Sequence, residues 1–252
     1  MIHSTAIVSP RAQLGRDVSV GPFTIIHDDV VIGDGSTIDS HCEIGYPTAL
    51  AEGAKLEIGA KALIRSHSIF YAGSRFGERL VTGHRVTVRE RTHAGANFQI
   101  GTLGDIQGHC EIGDYVRFHS NVHIGQHSKI GNFVWIFPYV VLTNDPHPPS
   151  HVMMGATVED YAAIATMSII LPGVRLGQGC LIGAHSSVNR DVAPDTVAAG
   201  APAKFVCNTN AVKLKDGSGR TAYPWRHHFH RGYPEAVVQQ WLAEAAALAN
   251  LS

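Results

Sequence analysis

Along this chain, apolar side chains return at every sixth residue. From Val8 the series runs through Leu14, Val20, Ile26, Ile32, Ile38 and Ile44. It slips, resumes at Ile58, Ile64 and Phe70, and weakens at Phe76, Thr82, Val88 and Ala94. From Ile100 it is strict, through Ile106, Ile112, Phe118, Ile124, Ile130, Ile136 and Leu142; after a second slip it returns as Val158, Ile164, Ile170, Leu176, Ile182 and Val188. With 44% of residues hydrophobic, the strict run would arise by chance in one frame roughly once in a thousand trials. The period therefore belongs to the fold.

The residue two before each of these is small or β-branched in most units, as at Ala6, Ala12, Val18, Thr24, Val30, Ser36 and Cys42, and again at Cys110, Val116, Val122 and Ser128. Side chains two apart share one side of a strand, so each hexapeptide reads as a short strand with two inward residues, followed by a turn. One such unit cannot bury its inner face. Three make a coil, and stacked coils make a closed prism of parallel strands ~4.8 Å apart. The fold class expected is all-β, a parallel β-helix, in which Cys42, Cys110 and Cys180 are small core fillers.

The slips at 45–57 and 143–157 predict two loops leaving the prism, and the weak stretch between 70 and 98 predicts a further distortion. The repeat ends near residue 206, dividing the chain into a β-helical domain (1–206) and a C-terminal extension (207–252). In the extension, Pro234 suits the first turn of a helix over about 234–250, with Val238, Trp241, Leu242, Ala245 and Leu248 on one face. The segment before it, YPWRHHFHRGYPE, is expected to pack against a neighbouring subunit rather than against a nucleotide.

Net charge is −1 with no block of Lys or Arg, which argues against a nucleic-acid or anionic-membrane surface. No apolar run reaches the ~18–20 residues of a membrane span, and MIHSTAIVSP lacks a signal-peptide layout, so the expected location is cytoplasmic. The four cysteines are far apart, without the spacing of a zinc knuckle or a disulfide framework.

Units such as IGDGST, IGNFVW and LGQGCLIGAHSSV, with the closing VAAGAPAKFV, resemble the hexapeptide-repeat acyltransferases over roughly residues 2–206. That resemblance implies a left-handed coil, a homotrimer with sites between subunits, and acetyl-CoA as acyl donor. AIATMSIILPGVRLGQGCLIGAHSSVNRDV resembles the coils along which coenzyme A lies, implying contacts at Ala165, Gly183 and Ala184 and a phosphate contact at Lys204. TND followed by a proline-rich segment resembles the N-acyltransferases of nucleotide-linked amino sugars, which implies sugar contacts at Asn144 and Asp145. The His-Pro pair of the same loop resembles that of the galactoside and maltose acetyltransferases, whose loop histidine is the base; here that residue is His147. One departure stands out: where sugar N-acyltransferases often carry an acidic residue or a catalytic histidine, this chain has Gln126.

Sixteen histidines invite a metal reading, and His119, His123 and His127 would share a face of a helix. The repeat scatters them over different parts of the prism. The β-helical carbonic anhydrases use a histidine pair five apart, and this chain has none, so no metal is expected. With 18 residues per coil, His109, His127 and Asp145 should form one column, Gly108, Gln126 and Asn144 another, and Asp105 should lie beneath His123. Acyl transfer from a thioester needs a base for the acceptor's proton and donors for the carbonyl oxygen. The expected assignment is His147 as base with His127 in reserve, Asp145 orienting acceptor or imidazole, and Asn144, Gln126 and His123 holding the sugar. Backbone N–H groups in the coils after the loop, where Ala165 and Gly183 allow close approach, are the expected oxyanion donors. The activity expected is N-acetylation of a nucleotide-linked amino sugar in a ternary complex. O-acetylation of a sugar and a non-catalytic β-helical scaffold are the alternatives.

Overall fold

The computed structural model describes residues 1–249. They form a left-handed parallel β-helix whose three faces are parallel sheets of ten, nine and eleven strands. The first face runs from Ile7–Val8 to Ser187–Val188, the second from Gln13–Leu14 to Arg175–Leu176, and the third from Ser19–Val20 to the closing pair Thr196–Gly200 and Ala203–Asn208. That last pair is antiparallel and ends the stack.

Within a two-residue strand the first side chain points out and the second in. Asp105 and His123 pair on the outside of the first face while Ile106 and Ile124 pair within. At most corners the chain turns through a residue with positive φ, as at Tyr115 (57°), Phe133 (57°) and Tyr161 (61°), so corner side chains stack in columns. An L-residue adopts this conformation at some energetic cost, which the ladder hydrogen bonds and inner packing of each coil offset. Cys42, Cys110 and Cys180 are buried, and burial pushes their thiols up to about 11, 12 and 12.

Between 70 and 98 the register shifts once, at Phe70/Tyr71 against Ile44 and Tyr46, and is regular beyond it. Arg75–Phe76, Val81–Thr82, Thr87–Val88 and His93–Ala94 keep the regular register. The apolar pattern weakens there because Thr82 turns inward and its hydroxyl accepts the Arg65 N–H at 2.9 Å. Elsewhere register does break. Val31 pairs with Glu57 and Lys129 with Thr157, 26 and 28 positions on rather than 18. The surplus residues form two loops. Both leave the corner between the first and second faces, five coils apart, or roughly 24 Å along the prism.

The C-terminal helix is Glu235–Ala249. Its face is narrower than the sequence predicts: Trp241 is 1% exposed, while Leu242 and Leu248 are 41% and 52% exposed. The segment ahead of it does not await a neighbour. It packs on its own prism, where Trp241, Tyr233 and Trp225 meet the stacked corner rings of Tyr115, Phe133 and Tyr161. Among the described residues no helix is long and apolar enough to cross a membrane.

Candidate functional site

Between the two loops, the first face and its corner carry a line of polar side chains. At the lower end Thr48 donates to Glu90 Oε1 at 2.9 Å, and Arg89 reaches the same carboxylate at 3.1 Å. Glu90 is 2% exposed. Burial opposes its ionisation, but the hydrogen bonds from Arg89 and Thr48 and the charge of Arg89 outweigh burial and hold the carboxyl below its ordinary value. A carboxylate depressed on folding stabilises the folded state above its unfolded pKa, about 4.3, and that contribution disappears as pH falls through the lower folded value. Acidification from pH 5 toward pH 3 is therefore expected to free the first loop. Amide exchange at Leu50, whose N–H is held by Thr48, should accelerate over that range, and Glu90→Gln should abolish the pH dependence.

Higher on the line, His123 and Asp105 meet. Nδ1 of His123 lies 2.9 Å from Asp105 Oδ2, and Gln107 donates to the same oxygen at 2.7 Å. Burial would raise Asp105, yet the hydrogen bonds from His123 and Gln107 and the charges of His123 and Arg89 overcome it, leaving the carboxyl below its usual value. An ionised Asp105 holding Nδ1–H leaves Nε2 as an acceptor directed away from the pair. The expected stacking of Asp105 beneath His123 is present.

His109 and His127 also stack, with ring centroids 5.1 Å apart, and burial followed by the charges of His127 and Arg91 pushes His109 below its ordinary value. Asp145 does not continue this column, because the loop removes it from the coil. Gly155 lies over His127 instead, so close that a Cβ there would fall 2.0 Å from the His127 carbonyl. Gly155→Ala must displace either the returning chain or the turn beneath it. A loss of about 1–3 kcal/mol is expected, measurable as a lower denaturant midpoint.

The carboxylate of Asp145 folds the loop tip, accepting the N–H of His147 and both the N–H and hydroxyl of Ser150. It binds the backbone of His147 rather than its imidazole, and that ring is exposed at the tip. The hydrogen bonds from Ser150 hold Asp145 below the ordinary carboxylate range, with those from the backbone and the charge of His147 adding to them against slight desolvation. Asn144 stays near the coil. Its side chain lies over Gly125, next to Gln126, and its carbonyl accepts the Met154 N–H at 2.8 Å, closing the loop base.

The predicted coenzyme contacts lie elsewhere. Ala165, Gly183 and Ala184 are at the corner between the third and first faces, across the width of the first face from the loop, and Lys204 is exposed on the closing hairpin. Nor can Ala165 and Gly183 supply oxyanion donors: their N–H groups are given to Ile182 O at 2.9 Å and Ala198 O at 2.8 Å. A ladder carbonyl already holds each donor. Among the described residues no cluster of His, Cys, Asp and Glu could hold a metal ion.

Residues 2–46 match the family model for bacterial transferase hexapeptides (six repeats). An acyl-acyl-carrier-protein–UDP-N-acetylglucosamine O-acyltransferase of Thermodesulfovibrio yellowstonii is 33% identical over 85% of this chain and 76% of its own length. One from Burkholderia lata is 33% identical over 98% of this chain and 89% of its own. Among solved structures, an Arabidopsis UDP-N-acetylglucosamine acyltransferase covers 82% of this chain and 74% of its own at a TM-score of 0.71 and 21% identity, a likeness of fold. The extent of the sequence matches, joined to the shared β-helix, places this chain in the family of the acyl-acyl-carrier-protein–UDP-N-acetylglucosamine O-acyltransferases.

Proposed function

We propose that this acyltransferase moves an acyl group from a pantetheine thioester to a hydroxyl of a nucleotide-linked amino sugar, with His123 as general base and Asp105 as the group that positions it. The observation that carries this reading is the His123–Asp105 contact at 2.9 Å, on the two coils next below the second loop. A hydroxyl, unlike a neutral amine, needs its proton removed as it attacks, and a histidine held by a carboxylate meets that need. Nε2 takes the hydroxyl proton while the oxygen attacks the thioester carbon. The tetrahedral intermediate collapses with cleavage of the carbon–sulfur bond, and the leaving thiolate recovers the proton from the imidazolium. The relatives' O-acylation of UDP-N-acetylglucosamine supports the same acceptor class.

Asn144 and Gln126 would hold the sugar at the loop base, and the loop bearing Asp145 and His147 would cover it. Ala165 and Gly183 border the opposite edge of the first face, so a pantetheine arm lying there would meet the sugar through a second copy of the chain, in a homotrimer with shared sites. The Asn144–Asp145 pair sustains a second reading, N-acylation with acetyl-CoA as donor. Incubation with UDP-linked amino sugars and either acyl-CoA or acyl-carrier-protein decides among these outcomes. An alkali-labile ester product is expected; a product stable to alkali is an amide and overturns the acceptor assignment.

A further inference from the structure

Among the described residues, Glu90 is the one charged side chain in the buried interior. An apolar side chain of its size would fill the same space without the cost of desolvating a carboxylate. Its contacts show where the charge takes effect. Its two oxygens accept Nε of Arg89 at 3.1 Å and Nη2 at 3.3 Å, and Thr48 of the first loop donates to Oε1. The ring of Tyr71, one coil below, lies 5.7 Å from the guanidinium carbon. A group beside Arg89 and another beneath it thus hold the guanidinium.

On the coil above stands Asp105. Thr87 pairs directly with Asp105, and Arg89 follows Thr87 on the same outward side, diagonal to that carboxylate and within reach of a long side chain. Arg89 already adds its charge to the bonds from His123 and Gln107 that keep Asp105 ionised against burial. Asp105 spends one oxygen, Oδ2, on both His123 and Gln107. A guanidinium bridging the two oxygens of a carboxylate makes two parallel charge-assisted bonds and would displace the single bond to His123 Nδ1. Arg89 is therefore a rival of His123 for Asp105. Burial decides which carboxylate Arg89 takes: the Glu90 side chain is 3% exposed and that of Asp105 34%, and water weakens an ion pair less at the buried site.

We propose that Glu90 is a positioning residue for acyl transfer: it holds Arg89 away from Asp105, and so leaves Asp105 free to orient His123. The inference rests on the reading of His123 as base. The first loop takes part through Thr48. With that loop lifted, Glu90 meets water, its hold on Arg89 weakens, and Arg89 turns to Asp105. Closure of the first loop thus readies a base two coils above Glu90.

Glu90→Gln keeps the shape and an acceptor for Thr48 but gives up the charge that competes with Asp105. In that variant kcat should fall about 10- to 100-fold, the usual cost of losing the group that orients a working histidine, with KM little changed. Adding Arg89→Gln removes the rival, and the double variant should recover most of the loss, which a defect of packing would not do. Thr48→Val leaves the buried residues in place and should lower kcat in the same sense by a smaller factor. NMR of labelled histidine nitrogens reads the pair without turnover. The His123 signals, assigned by their absence from His123→Ala, should show the Nδ1–H form in the parent and the double variant and lose it in Glu90→Gln. An Nδ1–H form that persists in Glu90→Gln, or a double variant as slow as Glu90→Gln, overturns the proposal. Full turnover in His123→Ala refutes the base assignment instead, and the nitrogen signals still decide whether Glu90 keeps Arg89 from Asp105.

Discussion

Replacing His123 with alanine is expected to lower turnover by a factor of about 10² to 10⁴, the usual contribution of a positioned general base. The reason lies in the pairing across coils. His123 and Asp105 occupy equivalent outward positions of successive coils, and the register fixes them opposite each other. Asp105 is held ionised by Gln107, Arg89 and His123 itself, so it meets Nδ1 whenever the imidazole is in place. Asp105→Asn keeps a hydrogen-bonding partner but loses the charge that steadies the imidazolium formed in transfer. That variant should lose kcat with KM nearly unchanged, the mark of an interaction made in the transition state. His147→Ala, by contrast, removes an exposed ring at the loop tip and should change kcat much less. Steady-state kinetics on the three variants decides the assignment. Full activity in His123→Ala with a collapse in His147→Ala would return the base to the loop.

The β-helix was legible because its periodicity is local. Six residues specify one strand and one turn, and even inward threonines and serines keep the step. The two excursions were legible as slips in that step, at the corner where 18-residue stacking puts both. The location of the tail was not. YPWRHHFHRGYPE is rich in rings, but nothing local says whether they meet the prism that bears them or another copy. The answer lies in Phe133 and Tyr161, stacked at 5.1 Å on a corner of the same chain. The column over His127 was misread for a related reason. Stacking by 18 correctly placed Asp105 beneath His123, where the coils are continuous, and misplaced Asp145, where an insertion intervenes before the next coil. The small side chains of Ala165 and Gly183 allow close approach, but size says nothing about whether an N–H is already spent on the ladder.

Phe98→Ala is expected to cost about 3–5 kcal/mol of stability. Phe98 is fully buried and stands edge-on to Phe118, 5.1 Å away. It occupies the inner position two before Ile100, where the same column carries Val116 and Val134 above, Leu80 one coil below and Ala62 two coils below. The ring fills more of the column than the aliphatic side chains around it. A prism closed on three sides has little freedom to collapse around the missing ring, so most of the cavity term should survive relaxation. For a chain of this size the loss corresponds to a fall in Tm of roughly 6–20 °C. Phe98→Leu keeps most of the volume and should cost under about 1.5 kcal/mol. Phe23→Ala, at a ring 59% exposed on a corner, should stay within about 0.5 kcal/mol of the parent. Because each coil rests only on its neighbours, amide exchange in Phe98→Ala should accelerate first around Val81, Ile100 and Phe118, before the ends of the prism. Denaturant melts with hydrogen exchange on the three variants measure this ordering, and a Phe98→Ala midpoint equal to that of Phe23→Ala would contradict it.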